Sequence, residues 1–395
     1  MKRMKKIALL LVAAALPLAA AQQSQAAGTV AGTVVTNTAT LDYKVGGLTQ
    51  PSTAAVANFN VDRKVNFVVN YVAPTGNFVN VYPGAQAQAL KFTVSNQGND
   101  TQDFDLTVAQ LGGQQIFGIN DSIDATDVKL YLDNPTTGAV GAFDAGDTEI
   151  TTTHFLDEVT PDKTVTVFVV GTFPTPQTNG NVAGLSITAN ALYGHAAGKG
   201  GTIAGGSTTD TNGTVAGNAI YTVFADVADT FANSEVGTGA FRIIAPVLSI
   251  SKSSSVIWDP INYNSTPRSI PGAYVQYAIT ITNDIAALAS ANLTTIQDTL
   301  NDNTLLDPNF VAASASSTLA PTSAVGKSFK VTHTATGRTA TPTPSYYSAG
   351  TGVGVSGQSI TANFATLLPA QDTTYSAGEL KAGESVTLTF NVTIN

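Results

Sequence analysis

Between residues 121 and 150 the chain reads DSIDATDVKLYLDNPTTGAVGAFDAGDTEI, and the carboxylates best placed for chemistry are gathered there. Asp133, Asp144, Asp147 and Glu149 fall around glycine turns just past the apolar run VKLYL. Calcium takes roughly six to eight oxygens, and closely spaced carboxylates and carbonyls on a turning loop are what it requires. These four are therefore the candidate metal ligands and calcium the one candidate cofactor, with a merely solvated acidic loop as the alternative. A second constellation joins Lys252, on the first strand of the C-terminal half, to Asn391, on its last. A self-formed Lys–Asn isopeptide between them, with Asp298 as the assisting acid, would staple a chain that has no cysteine. The alternative is a solvent-facing lysine, since lysine is seldom buried.

Catalytic patterns are missing. His154, His195 and His333 stand in no HExxH or nucleophile-elbow context, and each reads as a strand or loop surface residue. The segment GVGVSGQS (352–359) lacks the Gly-Lys-Ser/Thr ending and the following helix of a phosphate loop, so it reads as a loop. Tyr346-Tyr347 is the one aromatic pair placed to touch a glycan, with loop packing the simpler reading. Trp258, the only tryptophan, reads as a turn anchor beside Asp259-Pro260. The sequence does not describe an enzyme.

The elements that must position these residues are strands. Of the 395 residues 43% are hydrophobic, enough for a core, yet only 11% are charged. An ordinary soluble domain carries about 25%. Thr, Ser, Asn and Gly take the missing places, as on the solvent faces of exported β-proteins. The basic MKRMKK followed by IALLLVAAALPLAAA has the form of a Sec signal peptide over 1–21, with cleavage after Ala26 as the alternative. Export places the chain outside the cell or at its surface, with the periplasm as an alternative. Past Ala21, 27 acidic residues face 14 basic ones, which argues against nucleic acid and anionic lipid. No later segment is apolar enough to span a membrane.

Two stretches repeat one another. Residues 82–96, YPGAQAQALKFTVSN, and 270–283, IPGAYVQYAITITN, both open on Pro-Gly-Ala, alternate with period two and end on Asn. Each is followed later by an acidic turn and a β-branched run, PDKTVTVFVVG (161–171) and AGESVTLTFNVTIN (382–395). Strands repeated in the same order at domain spacing predict an all-β protein of two tandem Ig-like β-sandwiches. The expected divisions are an N-terminal hairpin or strand segment over 22–61, turning at Gly46-Gly47, a first sandwich over 62–245 and a second over 246–395. Within the first, the Gly/Ser/Thr-rich 195–218 reads as a long flexible loop.

The second half resembles the bacterial surface "conserved repeat domain" family. The matching features are Lys252 near the end of a first strand, Pro271-Gly272, Tyr277 to Asn283, Asp298-Thr299-Leu300 and Ala382 to Phe390. Over 62–245 the match is partial and the Asp-Thr-Leu segment is missing. The resemblance implies an extracellular β-sandwich with structural or adhesive roles and no reaction. The acidic loop is similar to dockerin-type and EF-hand-like calcium loops, but Pro135 and Thr137 stand where ligands belong, and Gly138 to Asp144 is too long.

These readings point to a secreted structural protein of the cell surface or extracellular matrix. The mature N-terminus, GTVAGTVVTNTATLDY, is an alternating, nearly uncharged strand ahead of the first sandwich. It either folds back on its own domain or adds to a neighbouring copy, and the second outcome would make a homopolymer. The alternative function is an adhesin for a surface glycan or protein.

Overall fold

The computed structural model describes residues 28–151, 154–203, 209–215, 218–225, 233–311, 322–324, 326–334, 345–370 and 373–395. The expected signal peptide lies outside them. The described chain is all-β, with one four-residue helix at Phe364–Leu367. Its sheets fall into two groups, each an Ig-like sandwich, and a hairpin precedes the first of them in the chain.

In the first sandwich the front sheet runs Thr148–Glu149, Thr126–Leu132, Thr164–Thr172, Gln88–Asn96, Phe67–Tyr71. The back sheet runs Phe155–Val159, Gln102–Gln110, Val182–Tyr193, Ser234–Ile243, Phe78–Val81. Alternation places Leu90, Phe92 and Val94 of the front against Phe104, Leu106, Leu185, Ile187 and Phe241 of the back, all essentially inaccessible to water. Each such aromatic withdrawn from solvent contributes roughly 2–3 kcal/mol. In the second sandwich the front sheet runs Leu248–Trp258, Tyr274–Asn283, Ser385–Ile394, Phe329–Thr334, Ser345–Tyr347. A smaller back sheet of Thr295–Thr299, Ser359–Asn363 and Val353–Ser356 covers it, closing a core around Phe329, Phe390, Ile360 and Phe364.

The sequence repeat is a repeat of geometry. In each front sheet the Pro-Gly-Ala strand lies antiparallel beside the β-branched closing strand, with Phe67–Tyr71 in the first unit and Leu248–Trp258 in the second on its other side. The two ends of this pair are fastened in the same way in both units. At the turn, Gly84 and Gly272 adopt φ of +85° and +83°, a conformation costly for any residue with a Cβ. Gly84 N–H donates to Phe173 C=O, and Phe173 N–H donates to Ala85 C=O. Gly272 N–H donates to Ile394 C=O, and Ile394 N–H to Ala273 C=O.

At the far end sits the buried asparagine. Asn96 Nδ2 donates to the carbonyls of Asp100 and Val159, while its Oδ1 accepts from Gly98 N–H. Its backbone exchanges bonds with Lys163 C=O and Asp162 N–H. Asn283 Nδ2 donates to the carbonyls of Ala289 and Leu380, its Oδ1 accepts from Val247 N–H, and its backbone meets Glu384 C=O and Gly383 N–H. Both side chains are wholly buried. Each one satisfies loop backbone that would otherwise be stranded away from water.

Three segments differ from expectation. Part of the Gly/Ser/Thr-rich stretch is not loop: Thr209–Val215 pairs with Asn218–Phe224, which in turn runs parallel to Arg63–Val65. His333 is not at the surface; it is 4% exposed and bonded to Glu384 Oε2. His195, though half-exposed, is tied to Asp100 rather than free in a loop.

Removing the asparagine side chain at either clamp strands two carbonyls and one amide. Asn283→Ala and Asn96→Ala are each expected to lower unfolding free energy by about 3 kcal/mol in urea titrations. Ser255→Ala, on an exposed strand position, is expected to stay within about 0.5 kcal/mol.

Candidate functional site

The acidic loop folds around its own backbone. Asp144 accepts Ala139 N–H at 2.6 Å and Gly146 N–H at 2.7 Å. Asp147 accepts the N–H groups of Asn134 and Asp144, and Asp133 accepts that of Gly141. Glu149 sits on a paired strand and turns instead to Lys129 and Tyr131. The structure therefore does not bring the four predicted ligands into one cluster. Glycines near Asp-rich turns mark carboxylates that hold N–H groups of a tight loop as well as those that hold ions, and spacing alone does not separate the two. The backbone donors hold the Asp144 carboxyl below the usual carboxylate range.

A different acidic group forms on the outer face of the first sandwich. Carboxylate oxygens of Asp103, Asp157 and Glu158 lie within 4.8 Å of one another, the one such grouping among the described residues. Strand pairing puts Asp103 next to the bulged Phe155–Val159 strand. The 195–200 segment folds over them, and its amides point inward. Gly200 N–H donates to Asp103, Gly198 N–H to Asp157 and Ala196 N–H to Glu158. Asp105 pairs with Lys199, and Asp100 pairs with Arg63 and His195. The carboxylates come from strands some fifty residues apart, so no local motif announced them. Burial pushes the Asp103 carboxyl up, as do the charges of Asp157 and Glu158, against the pull of the Glu158 and Gly200 amides. The opposite case is Asp259. Burial works against its charge, but Asn262, Arg268 and Ile261 donors together outweigh that and hold the carboxyl at about 2.

The isopeptide geometry is not present. Lys252 stands opposite Ile279 and, one strand further, Leu388, whereas Asn391 stands opposite Gln276. Positions 276 and 279 on one strand point to opposite faces, so Lys252 and Asn391 project from opposite sides of the sheet. Asn391 is wholly buried and accepts from Gln276 Nε2. Lys252 does meet Asp298, at 2.6 Å across the two sheets, with its ammonium over the Tyr277 ring. Of the aromatic candidates, Tyr346 packs on Phe310 and Tyr347 donates to Leu367 C=O. Trp258 packs on Tyr263 and Tyr274 at its turn.

The feature least accounted for by the sandwiches is the N-terminal arm. Val34–Leu41 pairs with Thr53–Asn60 and with no other described strand, and a second short pairing closes the tip around Gly46-Gly47. Its root is fastened by Asn99, whose Nδ2 donates to Thr29 and Asp62 carbonyls. Beyond the root almost every residue is exposed on both faces, including Leu41, Leu48, Val56 and Phe59. A two-stranded ribbon standing alone is marginal in water.

No family model and no curated protein matches the chain. Among solved structures it is similar to the collagen adhesin of S. aureus, at 11% identity and TM-score 0.19, over 85% of this chain and 84% of that one. The CupB6 tip adhesin of Pseudomonas aeruginosa gives 9% and 0.24, over 84% and 89%. The RrgB pilus protein of Streptococcus pneumoniae gives 13% and 0.17, over 85% of this chain and 45% of that one. Superpositions with TM-scores this low carry no weight for function.

Two outcomes are expected. Asp144→Ala should lower the melting temperature equally in calcium and in chelator, because what it removes are backbone caps; a calcium-dependent shift abolished by the substitution would show a bound ion instead. In carboxyl NMR titrations Asp103 should titrate above 3.8 and Asp259 near 2. The signs of their linkage are opposite. Asp259 contributes stability that is lost as pH falls from its unfolded value through about 2. The Asp103 contribution is present at low pH and lost as pH rises through its raised value. Ordinary titration of both groups would contradict the described contacts.

Proposed function

We propose that this chain is an exported, non-enzymatic structural protein of the bacterial cell surface or extracellular matrix whose copies join by β-strand addition through the N-terminal arm. The observation carrying this reading is the arm itself. It is a nearly uncharged, β-branched ribbon whose outer backbone groups meet no described strand, and such edges recruit further strands. A contact between an arm and a different surface of the next copy is heterologous and need not close, so it builds a fibre or layer. The signal-peptide-like N-terminal segment supports export, and the absence of cysteine fits stability drawn from two large cores and from assembly. Among the described residues no helix is long and apolar enough to cross a membrane.

A second reading, an adhesin for a protein or glycan, is favoured by one groove on the first sandwich. It is lined by Leu132, Val140, Phe155, Leu156 and Val165, with Asp133 and Lys163. A few charged groups set in apolar walls are the usual make-up of a ligand site.

Electron microscopy and sedimentation of the secreted protein, with and without residues 28–61, separate the readings. Polymers should form with the arm and be lost without it, while circular dichroism stays that of a folded β-protein. A wild type that remains monomeric at high concentration would overturn the assembly reading in favour of the adhesin.

A further inference from the structure

We infer that the arm's acceptor is the outer edge of Leu248–Trp258 in the second sandwich of another copy, an inference that rests on the assembly reading above. This eleven-residue strand ends its sheet, and among the described residues no strand lies on its outer side. Long unprotected edges are rare in monomeric proteins, which shorten them, cover them or charge them. The first sandwich does so at the equivalent place. Its edge strand Phe67–Tyr71 is only five residues long, and the preceding Arg63–Val65 is paired by Asn218–Phe224. On the second sandwich the only charge of the edge strand is Lys252, and that side chain is spent on Asp298.

The strand is open on its face as well as its edge. Ile250 stands opposite the core residue Ile281 and therefore points to the core side of the sheet, yet it is 63% exposed. Its neighbour on that face, Leu248, is 49% exposed. The smaller back sheet stops short of them.

Backbone geometry matches the two surfaces. Asp284 N–H bonds Val247 C=O, which sets the alternation along this strand. Leu248, Ile250, Lys252 and Ser254 therefore turn their N–H and C=O groups to the open side. On the arm, Val61 N–H bonds Thr33 C=O, so Val34, Thr36, Thr38 and Thr40 turn theirs outward. Each edge thus offers four outward residues over about 20 Å of strand.

Charge selects a second copy in head-to-tail order. Residues 62–245 hold eighteen acidic against seven basic side chains, residues 246–395 eight against six, and the arm only Asp42 and Lys44. Two first sandwiches repel one another, whereas the neutral arm meets no such field at the nearly neutral second sandwich.

The native chain has no cysteine, so engineered thiols report one contact at a time. Full-length secreted protein carrying Thr36→Cys, which faces Ser251 or Ser253 in parallel addition, or Asn37→Cys, which faces them in antiparallel addition, is mixed with protein carrying Ser251→Cys or Ser253→Cys, and separately with Val236→Cys on the first sandwich. Oxidised mixed dimers are expected at least tenfold above the Val236→Cys control for the Ser251 or Ser253 partners. Ile250→Lys and Ser254→Pro are each expected to abolish polymers while the circular dichroism stays that of the wild type. Equal crosslinking to the control position overturns the inference. So does normal polymerisation of both edge variants when removal of 28–61 abolishes it, an outcome that leaves the arm as donor and moves the acceptor elsewhere. Polymers unaffected by removing the arm overturn this inference and the assembly reading together.

Discussion

Everything in this molecule is hung on one buried asparagine used twice. Asn96 and Asn283 each end a Pro-Gly-Ala strand, and each binds three backbone groups from outside its own strand with a side chain that no water reaches. An aspartate would lose the two donors and a leucine all three bonds, so the position specifies an amide. Because the same residue's backbone also holds the turn before the closing strand, it sets the register of the central pair in each front sheet. Register in turn decides which residues enter the core, since a slip of one position would exchange the two faces.

That register also decides what happens at the periphery. It places Lys252 and Asn391 on opposite faces and so forbids a bond between them, while leaving Lys252 free to reach Asp298. It leaves Ile250 on a core face that the smaller back sheet does not cover. The two sandwiches share their central strands and differ in how the edge is finished. The first keeps its edge strand to five residues and pairs the short strand before it with Asn218–Phe224; the second leaves an eleven-residue strand at its edge. The ribbon ahead of the first sandwich and the unfinished edge strand that opens the second are the two surfaces the proposed assembly joins.

Much of this was legible in the sequence where the period-two alternation was strong. FTVSN and ITITN, and the closing runs after Asp162 and Glu384, announce strands and their kinship directly. The asparagines closing those strands were visible as a repeat, but their role as clamps depends on carbonyls of Val159 and Leu380 that only the fold brings near. In the acidic loop, spacing alone does not separate carboxylates that cap backbone amides from carboxylates that bind ions. The grouping of Asp103, Asp157 and Glu158 has no linear pattern at all, since a bulge and a returning loop assemble it. Thr209–Val215 was hidden by its composition, whose glycine and threonine suit a linker as well as a covering strand.

The central claim is that the outward amides of arm and edge strand are exposed in one copy and paired between copies. Hydrogen exchange read at single residues, in dilute and in concentrated protein, tests it most directly. In dilute solution fast exchange is expected at Val34, Thr36, Thr38 and Thr40, and at Leu248, Ile250, Lys252 and Ser254. All eight should become protected together on concentration, while their inward neighbours, already paired, change little. Exchange at these eight positions that does not depend on concentration, in a sample where larger species are present, would contradict it.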